Sequence, residues 1–168
     1  MTDLITIHVV SLKDFTGTIH LQPKLAQSRV ELDIPVDRLI VDDAAVRRQE
    51  GQDFANEPSQ GDIAGTRTNM LSGALLNAGQ FPAIKVTGPL DAKNSAMLDV
   101  SAQLAGHEIK LTLPVTLKLE GDQLEASGEM ELSHKQLGLK PFSALLGSLR
   151  VAEQMKFKYR IRARKEPK

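Results

Sequence analysis

The sequence predicts an all-β fold in which about eight antiparallel strands close into a barrel, with one or two short helices covering an end. Two observations indicate this class. Apolar and polar residues alternate with a period of two along much of the chain, as in strands that bury one face. Turn-forming residues, including Gly106 and Gly121-Asp122, separate the alternating runs at hairpin spacing. Long strands must bury their apolar face, and closing the sheet on itself does so without exposed edges.

Each predicted strand is a run of alternating residues. In chain order the runs are LITIHVV, FTGTIHL, RVELDIPV, AIKVTG, MLDVSAQL, HEIKLTLPVTLKLE, DQLEASGEMEL and EQMKFKYRIRARK. The last run places aromatic and aliphatic side chains on one face and four cations on the other. Surfaces that bind single-stranded nucleic acid combine both kinds of group on the same face. This run therefore favours a strand with a solvated outer side and an apolar inner side.

Two segments depart from the strand pattern. Ser59 begins a Ser-x-x-Asp start that resembles a capping box, and apolar residues follow at helical spacing through Ala74. This pattern predicts a helix of about three turns. In KPFSALLGSL, Pro141 suits a first helical position, and Phe142 and Leu145 share one side. The segment predicts a second short helix.

Composition limits the function. A chain of 168 residues with 41% apolar residues can bury one sizeable core, which predicts a single domain over residues 1–168. The 21 basic and 21 acidic side chains cancel, so no global field attracts nucleic acid or an anionic membrane. No apolar stretch is long enough to span a bilayer as a helix. We expect no nucleic-acid partner and no stable membrane insertion.

The amino-terminal stretch MTDLITIHVVSLKD has no basic n-region and no small-residue cleavage site. As written, the chain is expected to be cytoplasmic, or periplasmic if the true start lies upstream. The absence of cysteine excludes disulfides, thiolate metal sites and a cysteine nucleophile.

The sequence contains no catalytic constellation. The four histidines are scattered and none stands at zinc-site spacing. Signatures of serine nucleophiles and phosphate-binding loops are missing. Asp42-Asp43 is better explained as a negative helix start opposite Arg47 and Arg48 than as a metal pair, and Asp43 and Arg47 can pair over one helical turn. We therefore expect neither an enzyme nor a bound cofactor or metal.

The inward-facing residues can line a cavity or fill the barrel as packed core. They are mostly aliphatic, with few aromatic residues to fill a wide lumen, and their methionines adapt to a flexible chain. These features favour a cavity. The predicted cavity-lining residues are Met70, Leu111, Leu113, Val115, Leu117, Met130, Phe142, Leu145, Met155, Phe157 and Tyr159. Arg67 and Asn69 would lie at its polar mouth, although Arg67 could equally pair with Asp62 or Asp43 and hold a loop.

Three segments carry a resemblance to a known family. The string NMLSGALLNAGQFPAIKV, the hairpin VSAQLAGHEIKLTLPVTLKLEG and the stretch HKQLGLKPFSALLGSLRVAEQMKFKYRIRA resemble the YceI-like family. The resemblance extends from about Val30 to the end of the chain. Family members carry a further leading strand and a Gly-His-x-His turn, of which only His8 is present here, so the amino terminus is shortened by comparison.

The resemblance implies an eight-stranded, up-and-down, lipocalin-like barrel whose interior holds a long apolar ligand, such as a polyisoprenoid lipid or a quinone. We therefore expect a protein that sequesters or carries such a ligand. Two alternatives remain: an enzyme acting on an apolar substrate in the cavity, and a ligand-free interaction module that forms a homodimer through an open strand edge.

Overall fold

The computed structural model describes residues 7–24, 27–90, 96–140, 143–144, 149–150 and 154–165. Its elements in chain order are β1 (Val10–Ser11), β2 (Thr16–His20), β3 (Arg29–Pro35), β4 (Ile40–Val41), α1 (Ala44–Gln49), α2 (Gln60–Leu71), β5 (Ala83–Pro89), β6 (Met97–Leu104), β7 (His107–Pro114), β8 (Thr116–Glu120), β9 (Gln123–Ser133), β10 (Ser143–Ala144), β11 (Leu149–Arg150) and β12 (Gln154–Arg164). Short 3₁₀ turns lie at Val36–Arg38 and Gln52–Phe54.

Most strands belong to two antiparallel sheets. One has five strands in the order β2-β3-β5-β6-β7, and the other has three in the order β12-β9-β8. The hairpin between β6 and β7 turns at Ala105-Gly106, where both residues have positive φ, and that between β8 and β9 turns at Gly121-Asp122. The prediction of a mostly β, antiparallel fold is confirmed.

Backbone pairing among the described residues does not close the two sheets into one barrel. The sixth predicted run is divided at Pro114 and Val115, because Pro114 has no N–H to donate to a ladder and the Val115 N–H donates to the Ala96 carbonyl. The chain leaves the five-stranded sheet as β7 and enters the three-stranded sheet as β8. A strand that changes sheets in this way forms a corner.

In its described part, residues 7–10, the first predicted strand, LITIHVV, joins neither main sheet. Residues 1–6 lie outside the described ranges, and Val10–Ser11 pairs with Ile40–Val41 as a separate ladder. The two main sheets therefore contain seven of the eight predicted runs, with the sixth run split between them.

The corner between the sheets is fixed by contacts from β9 and β12. The Tyr159 hydroxyl donates to the Pro114 carbonyl oxygen at 2.5 Å. Gly128 is the β9 partner of Tyr159, and a Cβ atom at Gly128 would collide with the Pro114 carbonyl oxygen and lie 2.8 Å from the Tyr159 ring. Glycine is thus required at position 128 by the close approach of the two sheets.

The helix predicted after Ser59 is present as α2. The Ser59 hydroxyl accepts from the Asp62 N–H, and the Asp62 carboxylate accepts from the Ser59 N–H, which completes the predicted capping box. Asp43 caps α1 by accepting from the N–H groups of Ala45 and Val46, as expected of a negative helix start.

The predicted pairing of Asp43 with Arg47 is wrong. Arg47 instead donates to Asp42 at 2.5 Å, because the Asp42 carboxylate is buried beside it while Asp43 is occupied at the helix start and by Lys13.

The second predicted helix is wrong where the structure describes it. Ser143–Ala144 and Leu149–Arg150 pair as a short antiparallel ladder. In the sequence, Gly147 and Ser148 separate these strands, and both residue types favour turns over helix. Phe142 and Leu145 lie outside the described residues.

Two buried clusters occupy opposite ends of the sheets. The helical-end cluster consists of Val36, Val41, Met70, Leu76, Leu104, Leu132 and Leu137. The far-end cluster consists of Leu90, Leu98, Val100 and Val115. No helix in the described part of the chain is both long and apolar enough to cross a bilayer.

Candidate functional site

The candidate site is the inner face, which we define as the side of the two sheets that carries the apolar half of the alternating strands. On the five-stranded sheet, Leu111 of β7 pairs with Val100 of β6. On the three-stranded sheet, Met130 of β9 pairs with Phe157 of β12. Because successive side chains alternate across a strand, the outer side of the same strands carries their charged residues.

Protein atoms cover the inner face unevenly. On β6 the side chains of the inner face are buried. Their exposed fractions are 4–6% at Leu98, Val100, Ala102 and Leu104. On β12 all five are only partly buried: Met155, Phe157, Tyr159, Ile161 and Ala163. Folding normally removes such large apolar side chains from water. The β12 side of the inner face is therefore an apolar surface that the described protein atoms leave partly uncovered.

The predicted cavity-lining residues fall into two groups. Met70 and Val115 are core residues of the two buried clusters, with exposures of 8% and 4%. The half-buried residues lie between the clusters. Of these, Leu113 and Leu117 pack against the far-end cluster, Met130, Met155 and Phe157 pack against the helical-end cluster, and Leu111 packs against both. Leu111 thus connects the two clusters, and the role of these residues in binding a ligand stays a prediction.

Tyr159 differs from its neighbours on β12, because its hydroxyl has a fixed partner at the Pro114 carbonyl. Burial raises the pKa of the Tyr159 hydroxyl above its ordinary value. The ring lines the inner face, while the hydroxyl fastens the corner between the sheets.

Two cavities in the described part of the chain lie away from the inner face of β9 and β12. The larger, of about 540 Å³, lies over the outer side of the five-stranded sheet, where its polar lining includes Arg29, Thr87, Asp99 and Lys110. The smaller, of about 290 Å³, lies at the helical end beside Asn77, His107 and Lys140.

At the predicted polar mouth, Arg67 makes a hydrogen bond within the protein. Arg67 donates from Nη2 to the Asp37 carbonyl oxygen at 2.5 Å and thereby ties α2 to the 3₁₀ turn after β3. This hydrogen bond of Arg67 involves neither Asp62 nor Asp43, the two acidic partners that the sequence suggested. Asn69 is exposed on α2. The assignment of Arg67 and Asn69 to a ligand mouth stays a prediction.

A buried charge network, which the sequence did not predict, joins the amino-terminal segment to the helical end. The Asp42 carboxylate, whose side chain has no exposed surface, lies 2.6 Å from His8 Nδ1 and accepts from the Val9 N–H at 2.9 Å and from Arg47 at 2.5 Å. Arg47 also donates to the carbonyl oxygens of Ile7 and Asn56, both at 2.7 Å. The network fastens residues 7–9 to β4 and α1.

Hydrogen bonding decides the charge of Asp42. Burial alone would raise the pKa of the Asp42 carboxyl, but hydrogen bonds from His8, the Val9 N–H and Arg47 outweigh burial and lower this pKa below its ordinary value. Asp42 has a positive φ of 55°, a conformation that aspartate and asparagine tolerate better than most residues. The carboxylate is therefore held charged in a strained position.

His8 extends the network to α2, where its Nε2 lies 3.3 Å from the Thr66 hydroxyl. The order Thr66, His8, Asp42 is that of a hydroxyl, a base and a carboxylate in a nucleophilic triad. Asp42 is, however, shared with Arg47, and neither cavity includes Thr66 among its lining residues. This arrangement favours a structural role. No group of three or more potential ligand side chains in the described ranges could hold a metal ion.

The fold and the candidate site define a class: an antiparallel β protein with a helix-covered end and a partly uncovered apolar inner face. No family model and no curated protein matches the sequence. Among solved structures, BcnA of Burkholderia cenocepacia aligns at a TM-score of 0.63 with 14% identity, covering 92% of this chain and 86% of BcnA. The YceI protein of Campylobacter jejuni aligns at a TM-score of 0.65 with 11% identity, covering 97% of this chain and 88% of that protein.

A polyisoprenoid binding domain from Saccharophagus degradans aligns at a TM-score of only 0.44, with 15% identity over 79% of this chain and 74% of the domain. We draw nothing from that likeness. The alignments with BcnA and the YceI protein show that this chain has the YceI-like fold. The resemblance seen in the sequence is thereby confirmed at the level of the fold.

Proposed function

We propose that the protein binds a long apolar molecule along its inner face and sequesters or carries it. The observation that carries this proposal is the partly uncovered row of apolar side chains on β12, which continues onto β9 and β7. A row from Met155 to Ala163 extends over about 26 Å, at about 3.3 Å per residue. Such a surface matches an extended chain better than a compact ring.

The chemistry of the face favours a flexible aliphatic ligand. Aliphatic residues predominate among its half-buried residues, and the methionines Met130 and Met155 can adapt to an irregular apolar partner. Each methylene removed from water contributes about 0.8 kcal/mol, so several isoprene units bind tightly without a hydrogen bond. We propose a polyisoprenoid or a quinone with an isoprenoid tail, and we propose that the two sheets form the wall of a lipocalin-like barrel around it.

Both alternatives have less support. An enzyme requires a reactive group beside the bound substrate, and the carboxylate of the His8–Asp42 network is already shared with Arg47. A dimeric module requires a strand edge that pairs with a second copy. The outer edges of β2 and β12 are unpaired among the described residues, but pairing at an edge does not account for the uncovered apolar row. The YceI-like fold is compatible with all three functions and therefore does not decide between them.

The test is native mass spectrometry of gently purified protein, followed by mass spectrometry of its organic extract. The expected result is a one-to-one adduct that releases an apolar chain of isoprenoid character. Protein purified without an adduct is then incubated with a polyprenol and with a quinone, and one of the two is expected to bind. Failure to bind either, together with a dimeric mass, would contradict the proposal and favour the interaction module.

A further inference from the structure

The charges of this neutral chain are distributed unequally between its ends. Residues 36–69, which include α1 and α2 at the helical end, contain seven carboxylates and four guanidinium groups. The opposite end is formed where β2, β5, β8 and β12 finish and where β3, β6 and β9 begin. We call it the basic end and define it by described residues 20–24, 27–29, 88–90, 96–98, 114–125 and 162–165.

The basic end carries six cations against three carboxylates. The cations are Lys24, Arg29, Lys118, Arg162, Arg164 and Lys165, and all six are exposed. One carboxylate, Glu125, is engaged by Arg162 at 2.8 Å, and this pairing lowers the pKa of Glu125 and keeps it charged. The excess of positive charge therefore faces solvent at this end, opposite the acidic helical end.

Exposed apolar side chains occur at the same end. Large hydrophobic residues are strongly exposed at Leu21, Met97 and Leu119, with fractions of 56%, 41% and 68%. Leu119 lies at the tip of the β8–β9 hairpin, paired across it with Leu124. Lys118 precedes it in β8, and the Lys165 N–H donates to the Asp122 carbonyl oxygen in the hairpin turn. The basic end thus combines exposed apolar side chains with its excess of cations, while the hairpin tip itself also carries the carboxylates of Glu120 and Asp122.

From this combination we propose that the basic end docks peripherally on an anionic phospholipid bilayer. Cations near such a surface are attracted by its negative potential, and exposed aliphatic side chains enter the boundary between headgroups and acyl chains. The basic end contains no aromatic residue among its described positions, so the stacking platform of a single-stranded nucleic-acid site is missing there. The excess of positive charge would orient the protein with its basic end toward the membrane.

This docking deepens the proposed function, because an apolar ligand has to be collected from or delivered to a bilayer. The two proposals are nevertheless separable. Docking depends on the basic end and is measured with vesicles, whereas ligand uptake depends on the inner face and is measured by native mass spectrometry without vesicles.

The test is co-sedimentation with vesicles of phosphatidylcholine alone and of phosphatidylcholine mixed with phosphatidylglycerol. The protein is expected to sediment with the mixed vesicles and not with the neutral ones, and added salt is expected to release it. The variants Met97→Gln, on the outer side of β6, and Arg164→Gln/Lys165→Gln should each weaken the binding by on the order of tenfold. Ile40→Gln is the matched control, because Ile40 is 41% exposed but lies at the helical end.

Equal binding to neutral and anionic vesicles, or binding that only Ile40→Gln weakens, would overturn the proposal. Absence of binding at low salt would overturn it as well. Retention of an oligonucleotide without vesicle binding would assign the cations to nucleic acid instead. If docking fails while a polyprenol still binds in native mass spectrometry, the proposed function stands without the membrane-docking step.

Discussion

The Tyr159 hydroxyl donates to the Pro114 carbonyl oxygen at 2.5 Å, and this bond joins β12 to the corner at which the chain passes between the two sheets. Tyr159 reaches that oxygen across Gly128, its partner on β9. The contact occurs where the ladder is interrupted, because Pro114 cannot donate and Val115 turns its N–H to Ala96. A side chain thus satisfies the backbone at the one point where the long strand changes sheets.

Tyr159→Phe should destabilise the protein by about 1 kcal/mol, because the Pro114 carbonyl loses a hydrogen-bond partner in a partly buried position. The ring and its apolar contacts remain, so the slope of the urea transition should stay the same while its midpoint falls. An unchanged midpoint would show that water replaces the hydroxyl at no cost and that the corner does not depend on this bond.

Gly128→Ala should lower the free energy of unfolding by about 2–3 kcal/mol, more than Tyr159→Phe does. The new methyl group would collide with the Pro114 carbonyl oxygen and the Tyr159 side chain. Gly65→Ala is the matched control. Gly65 lies within α2 with no atom within 4 Å of the added Cβ, so this change should raise stability by about 0.5–1 kcal/mol. Urea unfolding of both variants measures the difference, and similar losses in the two would contradict the steric argument.

Local signals in the sequence predicted much of the fold. Period-two alternation marked the strands, since it follows from burial of one face, and the Ser59–Asp62 capping box marked α2 because its bonds lie within one helical turn. Pro114 inside the sixth run also indicated that this run is divided, because proline interrupts a strand ladder. The alternation continues on both sides of Pro114, however, and for that reason the sequence predicts a single strand.

Relationships between distant parts of the chain were not predictable in the same way. Val10–Ser11 pairs with Ile40–Val41, and a two-residue ladder leaves no periodicity to detect. The choice of Arg47 between Asp42 and Asp43 depends on which carboxylate is buried, and burial there follows from the approach of residues 7–9. For the candidate site, the sequence indicated which side chains face inward but not how much of that face other elements cover.

The pH dependence of stability should report the Asp42 network. The pKa of Asp42 is lower in the folded protein than in the unfolded chain, where it is about 3.9. The stabilisation is therefore fully present above about pH 5 and is lost as pH falls through the lowered folded pKa. Asp42→Asn tolerates the positive φ but leaves the Arg47 charge buried with fewer partners, so it should cost about 3–5 kcal/mol at neutral pH.

The measurement is the free energy of unfolding of the wild type and of Asp42→Asn from about pH 7 to about pH 3. The variant should lose less stability with acid than the wild type does. Asp43 and Glu125 also have lowered pKa values and remain in both proteins, so some acid sensitivity should persist. Parallel curves for the two proteins would show that Asp42 is not linked to folding.

The last prediction concerns the inner face itself. Met130→Gln keeps nearly the same size and shape but places an amide against the bound apolar chain, where the amide finds no hydrogen-bond partner. An unpaired amide in such a contact costs about 1–3 kcal/mol, which corresponds to a rise of roughly fivefold to a hundredfold in the dissociation constant for a polyprenol. Glu129→Gln is the control, because Glu129 is the neighbouring residue on β9 with its side chain on the outer face.

Fluorescence or native mass spectrometry titration with the same polyprenol measures both variants, and urea unfolding checks that each is folded. Loss of affinity in Met130→Gln with unchanged affinity in Glu129→Gln would place the ligand on the inner face rather than on the outer wall. Equal affinities in the two folded variants would contradict binding along the inner face. A loss of affinity confined to Glu129→Gln would instead indicate that the ligand binds at the charged outer side of β9 and β12, where Lys156 lies 3.4 Å from Glu129.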